Sequence, residues 1–425
     1  MNKSNLPGKT VGIICEYNPF HNGHKYQLEM SRKLTGAEHV VCIMSGSFMQ
    51  RGEPAAWDKW LRAEMALRNG ADLVIELPVV YSCQAAEYFA TGAVKILNEM
   101  KIIDYLCFGS ESGDLTLLKM IAEVLAHEPP DVGLLIRRHL DEGMVYPKAY
   151  QTAILEHLTS THPEQLKEIR SILESPNNIL GLEYLKAIFL TSSNMEAVTV
   201  KRMGSGYNEV EISSTLASAT GIRSEMRRSG LSETASSALP DASRELLSEQ
   251  TSLLDWEAFR DLLFYKLRSS DLEELRDHAY ISEGIENRIL KYLPQSESVN
   301  ELIDHVKTKR FTRTSIQRML LAILLGIRKK DLALFKESTT PSYIRVLALN
   351  EKGGKLIRRM KKLEVENIIT KFASFVPSDE RLIRMQQLDI RATEIYHSAL
   401  EQRISSKKPE KKGLRDYLTS PIILP

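Results

Sequence analysis

Short apolar runs at residues 11–15, 40–44, 73–77 and 105–108 punctuate the first third of the chain. Each has the length of a strand buried on both faces. Between them, residues 25–34, 57–69 and 85–100 have helical character. Strands that alternate with helices predict an α/β fold, a Rossmann-like, doubly wound parallel sheet with helices on both faces. Such a sheet takes its ligand beyond the carboxyl ends of the strands, where the loops after Cys15, Met44, Leu77 and Phe108 would converge.

Downstream the pattern changes. Residues 115–175 are mostly helical and are expected to be an insertion into, or a flank of, the sheet. A turn at Ser175-Pro-Asn-Asn178 opens another helical run, and residues 197–202 look like a further strand. From Ser232 the chain reads as nearly all helix to Lys336; residues 343–396 are mixed, and the charged stretch 405–413 is expected to be loose. A chain of 425 residues exceeds one ordinary domain. The expected boundary lies near residue 235, between a sheet-containing unit at 1–235 and a mostly helical unit at 236–425.

Composition adds that the chain is globular, with 43% hydrophobic and 26% charged residues. The longest apolar run, 319–327, is too short to cross a bilayer, and no export signal is visible, so a soluble, cytoplasmic protein without membrane contact is expected. Cys15, Cys42, Cys83 and Cys107 form no CxxC pair and no metal-ligand spacing, and read as reduced structural thiols. The net charge of +1 conceals an asymmetry: from Glu301 onward 26 basic residues face 14 acidic ones, a net of +12, against −11 before it. The basic end is a candidate for contact with a polyanion, or else a solvated helical surface.

The most informative segment is Asn18-Pro-Phe-His21-Asn-Gly-His24, directly after the first strand. Pro19 and Gly23 shape a tight strand-to-helix turn, and His21 and His24, three apart, can share one side of the opening helical turn. A helix N-terminus with free N–H groups suits phosphate oxygens, and two imidazoles there can donate to charge building on a phosphate. A surface histidine pair and a metal site are the alternatives, the latter weakened by the lack of a nearby carboxylate or Cys partner. A second segment, Ser218-Ala-Thr220-Gly-Ile-Arg223, opens a helix. Thr220 and Arg223 there could hold β- and γ-phosphate oxygens.

Together these segments resemble the HIGH-type signature and the ST-x-IR motif of the nucleotidyltransferase superfamily, whose members bind ATP and attack its α-phosphate. The resemblance narrows with further runs: Glu16-Tyr-Asn-Pro-Phe-His-Asn-Gly-His24, Met44-Ser-Gly-Ser-Phe-Met-Gln-Arg-Gly-Glu-Pro54, Gly70-Ala-Asp-Leu-Val-Ile-Glu-Leu-Pro78, Phe108-Gly-Ser-Glu111, Pro176-Asn-Asn-Ile-Leu-Gly181 and Lys307-Thr-Lys-Arg-Phe-Thr312. These are similar to the tRNA(Met) cytidine acetate ligase family over most of the chain; Gly221 falls at the variable position of the second motif. The resemblance implies that acetate and ATP give acetyl-adenylate and pyrophosphate, and that the acetyl group then moves to N4 of the wobble cytidine of elongator tRNA(Met). His21, His24, Thr220 and Arg223 would be the catalytic residues. The ATP site would comprise Ile14, Cys15, Glu16, Tyr17, Asn18, Pro19, Phe20, His21, Asn22, Gly23, His24, Lys25, Tyr26 and Gln27, with Gly109, Arg202 and one or both of Asn177 and Asn178. Mg²⁺ would arrive with ATP, since the chain carries no dedicated binding signature for it.

The residues themselves support part of this list. Gly109 ends a strand where close approach to an adenosine would require the absence of a side chain. Asn177 and Asn178 could present amides to a sugar or base, and a helix N-cap is an equal account of one of them. The 44–54 loop, with Arg51, suits a mobile cover over substrate or a merely structural connection. Lys59, Arg62 and Arg68 could reach tRNA or be solvated helix charges. Lys307, Lys309, Arg310, Arg313 and Arg318 cluster around Phe311, a pattern suited to phosphate contacts with one stacking aromatic. Two rival readings are a small-molecule nucleotidyltransferase, which would not need the basic helical half, and a non-catalytic RNA-binding protein, which would not need both motifs.

Overall fold

The computed structural model describes residues 8–144, 146–202, 216–250, 253–336, 342–403 and 415–425. The five expected strands form as β1 (Thr10–Cys15), β2 (His39–Ser45), β3 (Leu73–Leu77), β4 (Tyr105–Ser110) and β5 (Glu196–Lys201). Their parallel pairing gives the order β5-β4-β1-β2-β3. The chain runs outward from β1 through β2 to β3 and then returns to lay β4 on the other flank of β1. That reversal opens a crevice beyond the carboxyl ends of β1 and β4.

Alternate strand residues feed two cores. Ile14, Val41 and Ile43 pack with Phe89 of α3 (Ala86–Glu99) and Leu182 of α4 (Pro176–Leu190), the former preceded in sequence by α1 (Asn22–Thr35) and α2 (Lys59–Arg68). On the opposite face Val11, Ile13, Val40 and Cys42 meet Leu28 of α1 and Ala63 of α2. Sandwiching on both faces is why these strands read as unbroken apolar runs. All four cysteines are buried and unpaired. The 115–175 stretch is helical, as expected, and α5 (Ala219–Ser229) carries the second motif.

The sheet continues past the boundary expected near residue 235. Strand β6 (Ile344–Leu349) lies antiparallel to β3, and β7 (Ile368–Ile369) and β8 (Ile422–Ile423) each run parallel to β6. Residues on both sides of that boundary therefore share one sheet, and the position itself falls in a short helix, Glu233–Ser237. The run Ile-Arg-Val-Leu-Ala-Leu of β6 is too short for its apolar pattern to distinguish strand from buried helix.

A buried ionic cluster fastens this late part to the early one. Lys59 on α2 donates to Glu76 of β3 at 2.8 Å, to Asp416 at 2.7 Å and to Thr393 at 3.0 Å. Thr393 lies on the long helix Glu380–Arg403, and Arg345 of β6 reaches Asp416 at 3.5 Å. Burial opposes the Lys59 charge, but Asp416 and Glu76 outweigh it and raise its pKa above the ordinary lysine value. Among the described residues no helix is long and apolar enough to cross a membrane.

Candidate active site

His21 is the N-cap of α1. Its Nδ1 accepts the Gly23 N–H at 3.1 Å, and the His21 N–H is donated in turn to His24 Nδ1 at 3.3 Å, a reciprocal capping box built from two imidazoles. The rings stack with centroids 3.7 Å apart. Burial, reinforced by the Arg202 and Arg223 charges, pushes His21 down to about 3. Burial, His21 and Arg202 also hold His24 well below the ordinary value, against a hydrogen bond to the Pro19 backbone. Both rings are therefore neutral near pH 7. For His21 the hydrogen-bond network assigns the proton to Nε2, leaving that atom as a donor.

The free N–H groups expected at the start of α1 are already engaged. Asn22 N donates to Ala238 O at 3.0 Å, and the His24 and Lys25 N–H groups go to His21 O. Ser218, the N-cap of α5, and its first residues Ala219 and Thr220 open on the same cleft. Arg223 joins the two motifs: its guanidinium donates to Asn18 O at 2.8 Å and approaches Thr220 Oγ1 at 3.4 Å. Two segments about two hundred positions apart in the chain thereby face one space.

That space is a cleft of about 250 Å³ at the carboxyl ends of β1 and β4. Ile14, Cys15, Glu16, Tyr17, Asn18, His21, His24, Gln27, Gly109, Asn177, Arg202, Thr220 and Arg223 line it; Gly23 and Tyr26 border a small hollow of about 30 Å³ beside it. The other expected ATP residues do not line it. Phe20 is fully buried in the sheet core, the Asn22 side chain donates to Ser237 O, Lys25 is exposed, and Pro19 shapes the turn from behind. Asn177 and Asn178 part ways. Glu111 accepts the N–H groups of both at the start of α4, and Asn178, 1% exposed, accepts the Glu111 and Ser112 N–H groups through Oδ1. Asn178 therefore braces the loop after β4, while Asn177 faces the cleft. A Cβ on Gly109 would stand 3.4 Å from Arg202 Cγ, an ordinary contact, so the packing of Arg202 does not by itself demand glycine there.

The HIGH Nucleotidyl Transferase family model matches residues 8–412. A tRNA(Met) cytidine acetate ligase of Acetivibrio thermocellus is 40% identical over 91% of this chain and 94% of its own length, and one of Caldanaerobacter subterraneus is 42% identical over 94% and 97%. The chain belongs to the tRNA(Met) cytidine acetate ligase family. Two crystal structures of Thermotoga maritima TmcAL extend the likeness to the fold: the apo form has a TM-score of 0.89 at 33% identity, covering 98% of this chain and 99% of that one. The form bound with alpha-thio ATP has a TM-score of 0.87 at 32% identity over the same shares.

Within this ligase-family chain the positions offered to RNA divide sharply. Lys59 is locked in the buried cluster described above. Arg62 is also fully buried, and it donates to the Glu16, Ser45, Gly46 and Trp57 carbonyls. Neither presents charge to a polyanion: Arg62 instead ties the ends of β1 and β2 together beneath the cleft. Arg68 pairs with Glu64 on its own helix. Lys307, Lys309 and Arg310 are exposed, with Arg310 against Glu283, and Arg313, half-buried, pairs with Asp304. Phe311 is half-buried against the helical core rather than displayed for stacking.

Arg318 behaves differently from its neighbours. It lies on α6 (Arg313–Leu325), largely buried, and donates to Gln50 O at 2.9 Å. The 44–54 loop is thereby pinned to α6, and Met49, Gln50, Arg51 and Glu53 form one wall of the cleft. Phe89, Phe108, Leu180 and Tyr184 supply its apolar side. Sequence reasoning missed these four as site residues because each has the helical or strand spacing of ordinary core, and only the packing of α3 and α4 over β4 turns them toward the opening.

Proposed function

We propose that this chain is an ATP-dependent ligase that activates acetate as acetyl-adenylate and transfers the acetyl group to N4 of the wobble cytidine of elongator tRNA(Met). The observation that carries this reading is the convergence of His21, His24, Thr220 and Arg223 on one cleft, in a chain whose relatives bear the ligase name over nearly their whole length. An acetate oxygen attacks the α-phosphorus and pyrophosphate leaves. Neutral His21 and His24 donate to the charge that builds on the phosphate, as preorganised donors do in a water-poor site. Thr220, Arg223 and the positive end of α5 hold the departing β- and γ-phosphates. Mg²⁺ enters with ATP, and the work is done in the cytoplasm, where tRNA, ATP and acetate meet.

The apolar wall and Asn177 suit the adenosine, and the basic surface at 307–313 suits the tRNA backbone. The test is to incubate the protein with ATP, isotopically labelled acetate and tRNA, and to analyse the nucleosides by mass spectrometry. Labelled N4-acetylcytidine that requires ATP is the expected product. Label absent from cytidine, or transfer from acetyl-CoA without ATP, would refute the scheme.

A further inference from the structure

Acetyl transfer to cytidine requires a base, because an N4 amine that has added to a carbonyl must lose a proton. The cleft offers few acceptors. His21 is a poor one, since its Nδ1 already accepts an N–H and its Nε2 carries the proton. His24 is a poor one too, since its Nδ1 already accepts the His21 N–H. Cys15 and Tyr17 are buried thiol and phenol groups whose pKa values burial drives well up. Of the two carboxylates lining the cleft, Glu53 is committed elsewhere: it accepts from Gln317 at 3.0 Å and faces Arg223 at 4.0 Å.

The remaining carboxylate is Glu16, where β1 ends. Its Oε1 accepts the Gln50 N–H at 2.7 Å and lies 3.5 Å from Ser45 Oγ, while Oε2 accepts no hydrogen bond among the described residues. Its backbone is clamped by Arg62. Gln50 is also the residue whose carbonyl Arg318 holds, so Glu16 stands where β1 meets the loop pinned to α6. The exposed basic residues Lys307, Lys309 and Arg310 lie just before that helix, so a tRNA backbone held there would lie on the segment that leads to this loop.

We propose that Glu16 is the catalytic base of the transfer step, a role that rests on the ligase function proposed above. N4 attacks the acetyl carbonyl carbon and forms the N–C bond. One N4 proton passes to Glu16 Oε2, and the bond from the acetyl carbon to the phosphate oxygen breaks, so that AMP leaves with its electron pair. Glu16 returns the proton to solvent once product departs. Burial raises the Glu16 pKa, against the Gln50 N–H, Arg62 and Arg223 and with help from Glu53; Arg318 and Cys83 also face it. The shift makes it a stronger base than a solvated carboxylate.

The test separates the two half-reactions of Glu16→Gln, a substitution that can keep the Gln50 hydrogen bond. Acetate-dependent exchange of labelled pyrophosphate into ATP is expected to fall less than about tenfold. Single-turnover transfer from preformed acetyl-adenylate to tRNA is expected to fall by a factor on the order of 10²–10³ and to lose its rise with pH, Glu16→Asp recovering part of the rate. Equal losses in both half-reactions, or transfer within a few-fold of the unaltered enzyme, would overturn the assignment. Absence of acetate-dependent exchange in the unaltered enzyme would instead sink the functional reading itself, and the proposal with it.

Discussion

At the residue scale, two imidazoles cap one helix and each other at the centre of the proposed adenylation site. His24→Ala should lower acetate-dependent pyrophosphate exchange by about 10²–10³, the usual loss for one preorganised donor; full retention would remove His24 from the transition state. His21 also links the site to stability. Its pKa falls from the ordinary 6.5 to about 3 in the fold, so between those values the unfolded chain binds a proton that the native state refuses. Stability should therefore fall as pH drops through this window, on the order of 2 kcal/mol between pH 6.5 and 5 from this group alone. Denaturant midpoints of His21→Gln should show a correspondingly shallower slope, and an identical slope would refute the link. The histidines and the Thr220/Arg223 pair were legible in sequence because turn residues fix their local geometry. Lys59 and Arg62 were not: a charge on an amphipathic helix says nothing of a carboxylate or carbonyl brought to it from another strand.

The element that joins cleft to basic surface is the 44–54 loop. Gly52 adopts φ +77°, and a Cβ there would lie 2.6 Å from the Arg318 backbone nitrogen, so no other residue fits without moving the loop off α6. Gly52→Ala should cost about 1–3 kcal/mol and speed amide exchange across the loop. A melting temperature and exchange pattern equal to those of the unaltered protein would show that loop and helix are not packed in this way in solution. Strands β1 to β4 were readable because burial on both faces leaves an unbroken apolar signature, whereas β5, at the sheet edge, is only partly buried and shows through its β-branched residues. β6 was hidden because its six residues carry Arg345, whose partner Asp416 lies far along the chain. The sequence left the loop undecided between mobile cover and structural connection, since its anchors, Arg318 and Gln317, are distant contacts.

At the scale of the molecule, the basic surface and the cleft are separate in their side chains but joined through Arg318. Changing Lys307, Lys309, Arg310 and Arg313 together to Ala should weaken tRNA binding and flatten its salt dependence by roughly 0.7–0.9 log units for each phosphate no longer neutralised. None of the four lines the cleft, so pyrophosphate exchange should persist. Unchanged tRNA affinity would take this patch out of the interface, and abolished exchange in a folded variant would show that the halves do not divide the work. The placement of β6 beside β3 also bears on how the molecule is made. As the chain leaves the ribosome, β3 emerges early with one edge bare, and Lys59 and Glu76 wait without Asp416 for more than three hundred further residues. A nascent chain halted before residue 344 would thus expose a strand edge and lack part of its buried charge balance, a species prone to pair with its own kind. Catalytic competence should accordingly await synthesis of the segment around Asp416, and a chain terminated before residue 344 should associate with itself rather than acetylate tRNA.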